Sequence, residues 1–163
     1  MANEIILGDG VFYIGTTAIA LTRGGGAFSV EREYRPIEAD GDYGPVKGRI
    51  RKIKSVATLK LNALTLLEDN LPSLYPATDL TSRVLTGKPD VEDADYQTEV
   101  SWVGAMLNGD SVAIELYNAI NLENLEWDLV DKEEVVPEIT YTAAYDPDTR
   151  TTEPWQITFD TPS

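Results

Sequence analysis

Phe28-Ser29-Val30-Glu31-Arg32-Glu33-Tyr34-Arg35 and Ile53-Lys54-Ser55-Val56-Ala57-Thr58-Leu59-Lys60-Leu61 decide the fold of this chain. In the first, Phe28, Val30, Arg32 and Tyr34 alternate with Ser29, Glu31, Glu33 and Arg35. In the second, Ser55, Ala57, Leu59 and Leu61 share one face, and Val56, Thr58 and Lys60 the other. Alternation with a period of two places one face on a core and the other on water, which is a strand signature. Between them lies Glu38-Ala39-Asp40-Gly41-Asp42-Tyr43-Gly44-Pro45-Val46-Lys47-Gly48-Arg49, too rich in glycine and charge for strand or helix. The pair reads as an extended hairpin arm over about 35–54, and a loop of this length is usually functional.

The same pattern continues outward. Val11–Ile14 and Ala18–Leu21 are short β runs, and Gly24-Gly25-Gly26 reads as a hinge or tight turn. Tyr96–Met106, Ser111–Tyr117, Leu125–Leu129, Glu138–Ala144 and Trp155–Phe159 alternate, and Leu107-Asn108-Gly109-Asp110 is a turn signal. Thr78–Asp95 is polar and acidic and reads as a loop. Thr65-Leu66-Leu67-Glu68 fits a capping box, and Leu67, Leu71 and Leu74 follow at helical spacing. One short helix is expected over 65–71, its length limited by Pro72 and Pro76. The expected class is mostly β: a β-sandwich or barrel-like domain over 1–163, with one flanking short α-helix and a long protruding hairpin loop.

The net charge of −15 is unevenly placed. Residues 1–60 hold 9 Lys and Arg against 7 Asp and Glu (+2); the remainder holds 4 against 21 (−17). Solubility explains such acidity, and so does a surface that repels nucleic acid, because duplex DNA carries a phosphate per roughly 1.7 Å of axis. No basic stripe with interleaved aromatics exists, which argues against conventional DNA binding. Residues 1–9 lack the pattern of a signal peptide, and no apolar run approaches the roughly 20 residues of a membrane span.

Catalytic chemistry is hard to build from this composition. The chain has no histidine and no cysteine, which removes Ser-His-Asp and Cys-His catalysis, His-based metal sites, thiolate sites and disulfides. The glycine triplet is neither a dinucleotide fingerprint nor a P-loop. A carboxylate pair could in principle serve a glycosidase, but 28 acids nominate no pair. Asp40-Gly41-Asp42-Tyr43-Gly44 fails as an EF-hand, since Arg51 stands at the twelfth position. The expectation is no enzyme, no catalytic residue, no cofactor and no metal. The run Lys47, Arg49, Arg51, Lys52, Lys54 is the one cationic concentration; it reads as a nucleic-acid patch, as a solvated hairpin arm or, a better reading than the patch, as a complement to the chain's own acidic surface in a neighbouring copy.

Phe28–Arg35, Asp40–Gly48, the 65–74 segment, Ile114-Glu115-Leu116-Tyr117-Asn118-Ala119, Asp131-Lys132-Glu133-Glu134, Thr140–Asp146 and Glu153-Pro154-Trp155-Gln156-Ile157, in this order, resemble the tail tube (major tail) proteins of long, non-contractile-tailed bacteriophages. The similarity is spread over most of the chain, and no single motif is diagnostic; Ala144 stands where that family often has His. The resemblance implies a β-sandwich whose copies form hexameric rings stacked into a hollow tube. It implies a place in the virion tail, assembly in the host cytoplasm, and tape-measure, tail terminator and tail-tip proteins as partners. DNA would pass through without specific binding, and no membrane is involved. Asp40, Gly41, Asp42, Tyr43, Gly44, Pro45, Lys47, Gly48 and Arg49 are then the expected inter-ring loop, with Tyr43 its apolar anchor. Glu99, Glu115, Glu126 and Asp128 are candidate luminal acids. The competing expectation is a carbohydrate-binding module, calcium-dependent in one version, that uses Trp102, Trp127 or Trp155; core packing is the plainer role for each ring.

Overall fold

A computed structural model describes residues 4–19, 22–64 and 70–160. The chain is mostly β and sandwich-like, built on one antiparallel sheet that curls over its own core. The strands are β1 (Ile6–Ile14), β2 (Thr17–Ile19), β3 (Thr22–Pro36), β4 (Ile50–Ala63), β5 (Thr78–Thr81), β6 (Val84–Gly87), β7 (Gln97–Met106), β8 (Ser111–Asn121), β9 (Glu138–Ala143) and β10 (Trp155–Asp160). The main sheet runs β2-β1-β7-β8-β9-β4-β3. Strand β8 has β7 along one edge and two partners in tandem along the other: β10 beside Ser111–Leu116 and β9 beside Ala119–Asn121. Asn118, with φ of 51°, sits at the changeover.

The two longest strands follow the alternation of their sequences. Ser55, Ala57, Leu59, Leu61 and Ala63 are buried, and Val56, Thr58, Lys60 and Asn62 are half-buried on the other face. Phe28 and Val30 lie opposite Leu59 and Ala57 in β3 and pack on the same core. From the other half of the sheet come Phe12, Ile14, Val100, Leu116, Ile139 and Tyr141. Burying each such side chain contributes about 1.5–3 kcal/mol, so this inward row dominates the stability of the fold. Gly10 and Gly104 are paired across β1 and β7, and the Trp102 ring lies over both; a Cβ on Gly104 would fall 2.3 Å from Trp102 Cη2.

Most of the expected helix falls on residues 65–69, outside the described residues. The described α-helix, α1, is a single turn over Leu71–Leu74. Pro72 does not limit it but sits in its first turn, where a missing N–H costs nothing. Leu74 and Tyr75 are buried at the end of the core. The turn is tied down there by Asn121 Nδ2 donating to Leu74 O (2.7 Å) and Tyr141 OH donating to Ser73 O (2.9 Å).

Three expectations are corrected. Gly24–Gly26 is no hinge: it lies within β3, where the register against β4 shifts between Thr22 and Gly26 and Gly25 takes φ of 73°. This is a bulge, a bend built into a continuous strand. The 78–95 segment is not all loop but holds the β5–β6 hairpin, whose Ser82 and Arg83 both take positive φ (51° and 65°). A short 3-10 turn over Asp93–Asp95 follows, capped by reciprocal bonds between Glu92 and the buried Asp95. Finally, Leu125–Leu129 is no strand; the whole stretch 122–137 between β8 and β9 is irregular.

Candidate functional site

The arm is the most conspicuous departure from a closed domain. Its strands leave the body at Glu31 and Ser55. From there Glu31–Pro36 of β3 and Ile50–Lys54 of β4 are exposed along their whole length. Tyr34, Ile37, Val46, Ile50 and Ile53 are all exposed apolar side chains of this arm, and Tyr43 is fully solvent-accessible at its tip. Ile53 is the extra residue of a second bulge, since Glu33 pairs with Lys54 and Tyr34 with Lys52.

The tip orders itself. Ile37 N–H donates to Arg49 O (2.7 Å), Asp42 N–H to Ala39 O (3.1 Å) and Arg49 N–H to Val46 O (3.1 Å). Asp42 is the organising side chain: its Oδ2 accepts from Ala39 N–H (2.9 Å) and Arg49 Nη2 (2.7 Å). Asp42 and Arg49, expected to reach a neighbour, are thus half-buried against each other within the arm. Gly44 is also half-buried, whereas Asp40, Gly41, Tyr43, Pro45, Lys47 and Gly48 stand exposed.

At the base of the arm one carboxylate gathers four donors. Glu153 Oε1 accepts from Lys52 Nζ, and Oε2 accepts from Ser55 Oγ (3.0 Å), Trp155 Nε1 (3.1 Å) and Tyr145 OH (3.2 Å). Lys52 foremost holds the Glu153 carboxyl below the usual carboxylate range; burial opposes this, and the Ser55, Trp155 and Tyr145 bonds reinforce it. Trp155 in turn packs on Phe28 with ring centroids 5.8 Å apart. Glu153 therefore fixes the arm to β10 and to the β9–β10 connection. No spacing in the sequence marks it, because Lys52 lies 101 residues away.

The four candidate luminal acids divide into two places. Glu99 and Glu115 come together on the outward face of β7 and β8, where Glu99 pairs across the ladder with Tyr117. Tyr117 OH donates to Glu115 Oε2 (2.8 Å), and Gln156 Nε2 donates to the same oxygen. Burial, and then the Glu115 charge, raise the Glu99 carboxyl. Burial, and then its bond to Glu115, push the Tyr117 hydroxyl up to about 12. Glu126 and Asp128 lie elsewhere and on no strand. They line an acidic cleft of about 520 Å³ beside the irregular 122–137 stretch, with Glu123, Glu133 and Glu138. The four therefore form no single row.

Among the described residues no cluster of three or more acids is placed to hold a metal ion. No helix among them is long and apolar enough to cross a membrane. No protein-family model and no curated protein matches the chain. Of the three tryptophans, Trp102 and Trp155 are half-buried against the core. Trp127 is 39% exposed and donates through Nε1 to Tyr75 OH (3.0 Å).

Proposed function

We propose that the chain is a structural subunit of the tail tube of a long, non-contractile-tailed bacteriophage. Copies join side by side into hexameric rings, and the arm of each ring seats on the next. DNA travels along the resulting channel without being held. The observation that carries this reading is the arm. A two-stranded projection with Tyr34, Ile37, Tyr43, Val46, Ile50 and Ile53 exposed leaves apolar surface in water unless another surface covers it. Its tip is ordered before any partner arrives, which lowers the entropy lost on docking.

Two further features support the reading. Glu99 and Glu115 put half-buried carboxylates on the outward sheet face, suited to a wall past which a polyanion slides. A chain with neither histidine nor cysteine suits a part that assembles rather than one that catalyses. The tape-measure, tail terminator and tail-tip proteins are the partners this reading brings with it, and the virion tail is the place. The carbohydrate-binding alternative needs an aromatic ring open to a sugar; Trp102 and Trp155 pack against the core, which leaves it Trp127 alone of the three, 39% exposed and bonded to Tyr75. Deleting Asp40–Gly48 tests the proposal. The shortened chain is expected to fold as a monomer and to form no tubes, whereas tubes of normal length from it would falsify the role given to the arm.

A further inference from the structure

The stretch between β8 and β9 poses a question that the monomer leaves open. Leu125, Trp127 and Leu129 alternate with Glu126 and Asp128 as in a strand, yet no strand pairs with them. Between Leu122 and Leu129 no main-chain group makes a main-chain hydrogen bond to another described residue. Leu122, Leu125, Leu129 and Val130 are exposed, Leu129 at 80%. The stretch is nevertheless held in place. Trp127 is bonded to Tyr75, Glu123 N–H donates to Asn121 Oδ1 (3.0 Å), and Ala63 N–H donates to Pro137 O (3.2 Å). It is a fixed strap with exposed apolar side chains and no main-chain partner among the described residues over 122–129, and such a strap can accept an added strand.

Its charge identifies what would cover it. Residues 122–138 hold seven Asp and Glu and one Lys, a net of −6. The returning strand of the arm, residues 47–54, holds five Lys and Arg and no acid, a net of +5. Arg49 and Lys52 are engaged within the chain, but Lys47, Arg51 and Lys54 form no ion pair among the described residues. Beside them Ile50 and Ile53 are exposed. No strand pairs with the edge of β4 away from β3 there, because β9 pairs only with Thr58–Asn62; the β9–β10 connection lies beside it at Lys52–Ser55 and leaves Arg51 and the residues before it clear. The arm and the strap thus match in three respects: apolar side chains, opposite charge and an unpaired strand edge. We infer that the strap of residues 122–130 is the seat on which a second copy lays the β4 edge of its arm, with Arg51 and Lys54 against Glu126 and Asp128. This rests on the tube reading and adds to it the surface that receives the arm.

Zero-length carbodiimide coupling of concentrated protein, mixed from 14N- and 15N-labelled full-length chains, tests the inference by mass spectrometry. Mixed-label links from Lys47 or Lys54 to Glu126, Asp128 or Glu133 are the expected result. E126K/D128K and R51E/K54E should each raise the concentration needed for assembly at least tenfold, and the chain carrying all four changes should regain assembly. Normal assembly of E126K/D128K, with arm lysines linked only to acids elsewhere, overturns the strap as the seat and leaves the tube reading standing. A wild-type chain that stays monomeric at every concentration, with tail-tip proteins present as well as alone, and gives no mixed-label link overturns both.

Discussion

Replacing Glu153 with alanine removes the acceptor of four donors at once, and the structure lets the loss be sized. Ser55 is buried and Tyr145 and Trp155 are half-buried, so each loses a bond that water replaces poorly, at about 1 kcal/mol apiece, Tyr145 keeping only a long contact to Ser55 O (3.5 Å). The Lys52 pair is more exposed and adds about 0.2–1 kcal/mol. Together these amount to roughly 3–4 kcal/mol, which at about 2–4 °C per kcal/mol for a chain of this size lowers Tm by roughly 6–16 °C. Glu153→Gln keeps an uncharged acceptor of the same shape and should lose about half as much. The pH dependence follows from the direction of the shift. The folded-state carboxyl is held below its ordinary 4.5, so its contribution is complete above that value and is lost as pH falls through the lower, folded value. Urea unfolding of wild type and Glu153→Ala should therefore show the full gap at about pH 7 and a narrower one at about pH 3. A variant within about 1 kcal/mol of wild type at neutral pH would refute the assignment of Glu153 as the tie at the arm's base.

Other expectations concern the arm tip, the acidic face and the Trp102 packing. Asp42→Ala removes the two side-chain bonds at the tip, worth about 1–2 kcal/mol after allowance for exposure; amide exchange at Ala39 should speed up roughly 5–30-fold while the global urea midpoint holds. Unchanged exchange at Ala39 would mean that the tip is ordered by something else. Glu99→Gln removes a carboxylate whose charge is disfavoured by burial and by Glu115, so it should stabilise the fold at neutral pH by about 0.5 kcal/mol. A raised carboxyl gives wild type a gain in stability as pH falls through its folded value; the Gln variant should lose that gain in acid titrations followed by circular dichroism. Gly104→Ala places a methyl group 2.3 Å from the Trp102 ring and should cost about 1–3 kcal/mol with a change in Trp fluorescence, whereas a neutral result would show that the ring moves aside freely.

Most of the sheet was legible because its strands are half-buried, and half-burial writes a period of two into the residues. Residues 28–30 and 55–61 are the clearest cases, and the Asn108-Gly109 turn between β7 and β8 is another legible feature: Gly109 takes φ of 97° as that turn requires. The misses have separate causes. Ser82 and Arg83 occupy a positive-φ hairpin turn that Asn-Gly would normally announce, so nothing in the residue types gave β5 and β6 away. The glycine triplet reads as a hinge or tight turn because a bulge and a hinge use the same residue. The alternation at Leu125–Leu129 is that of a strand, and the monomer supplies no partner for it. For the candidate site, the arm was visible in composition, but the Asp42–Arg49 bond and the Glu153 tie depend on chain geometry that composition does not carry.

Negative-stain electron microscopy of the purified protein, before and after concentration, tests the central claim most directly. The account predicts hollow tubes or stacked six-fold rings in the concentrated wild-type protein and only dispersed particles from the Asp40–Gly48 deletion. Dispersed monomers of wild type at every concentration, in the presence of tail-tip proteins as well as alone, would contradict it.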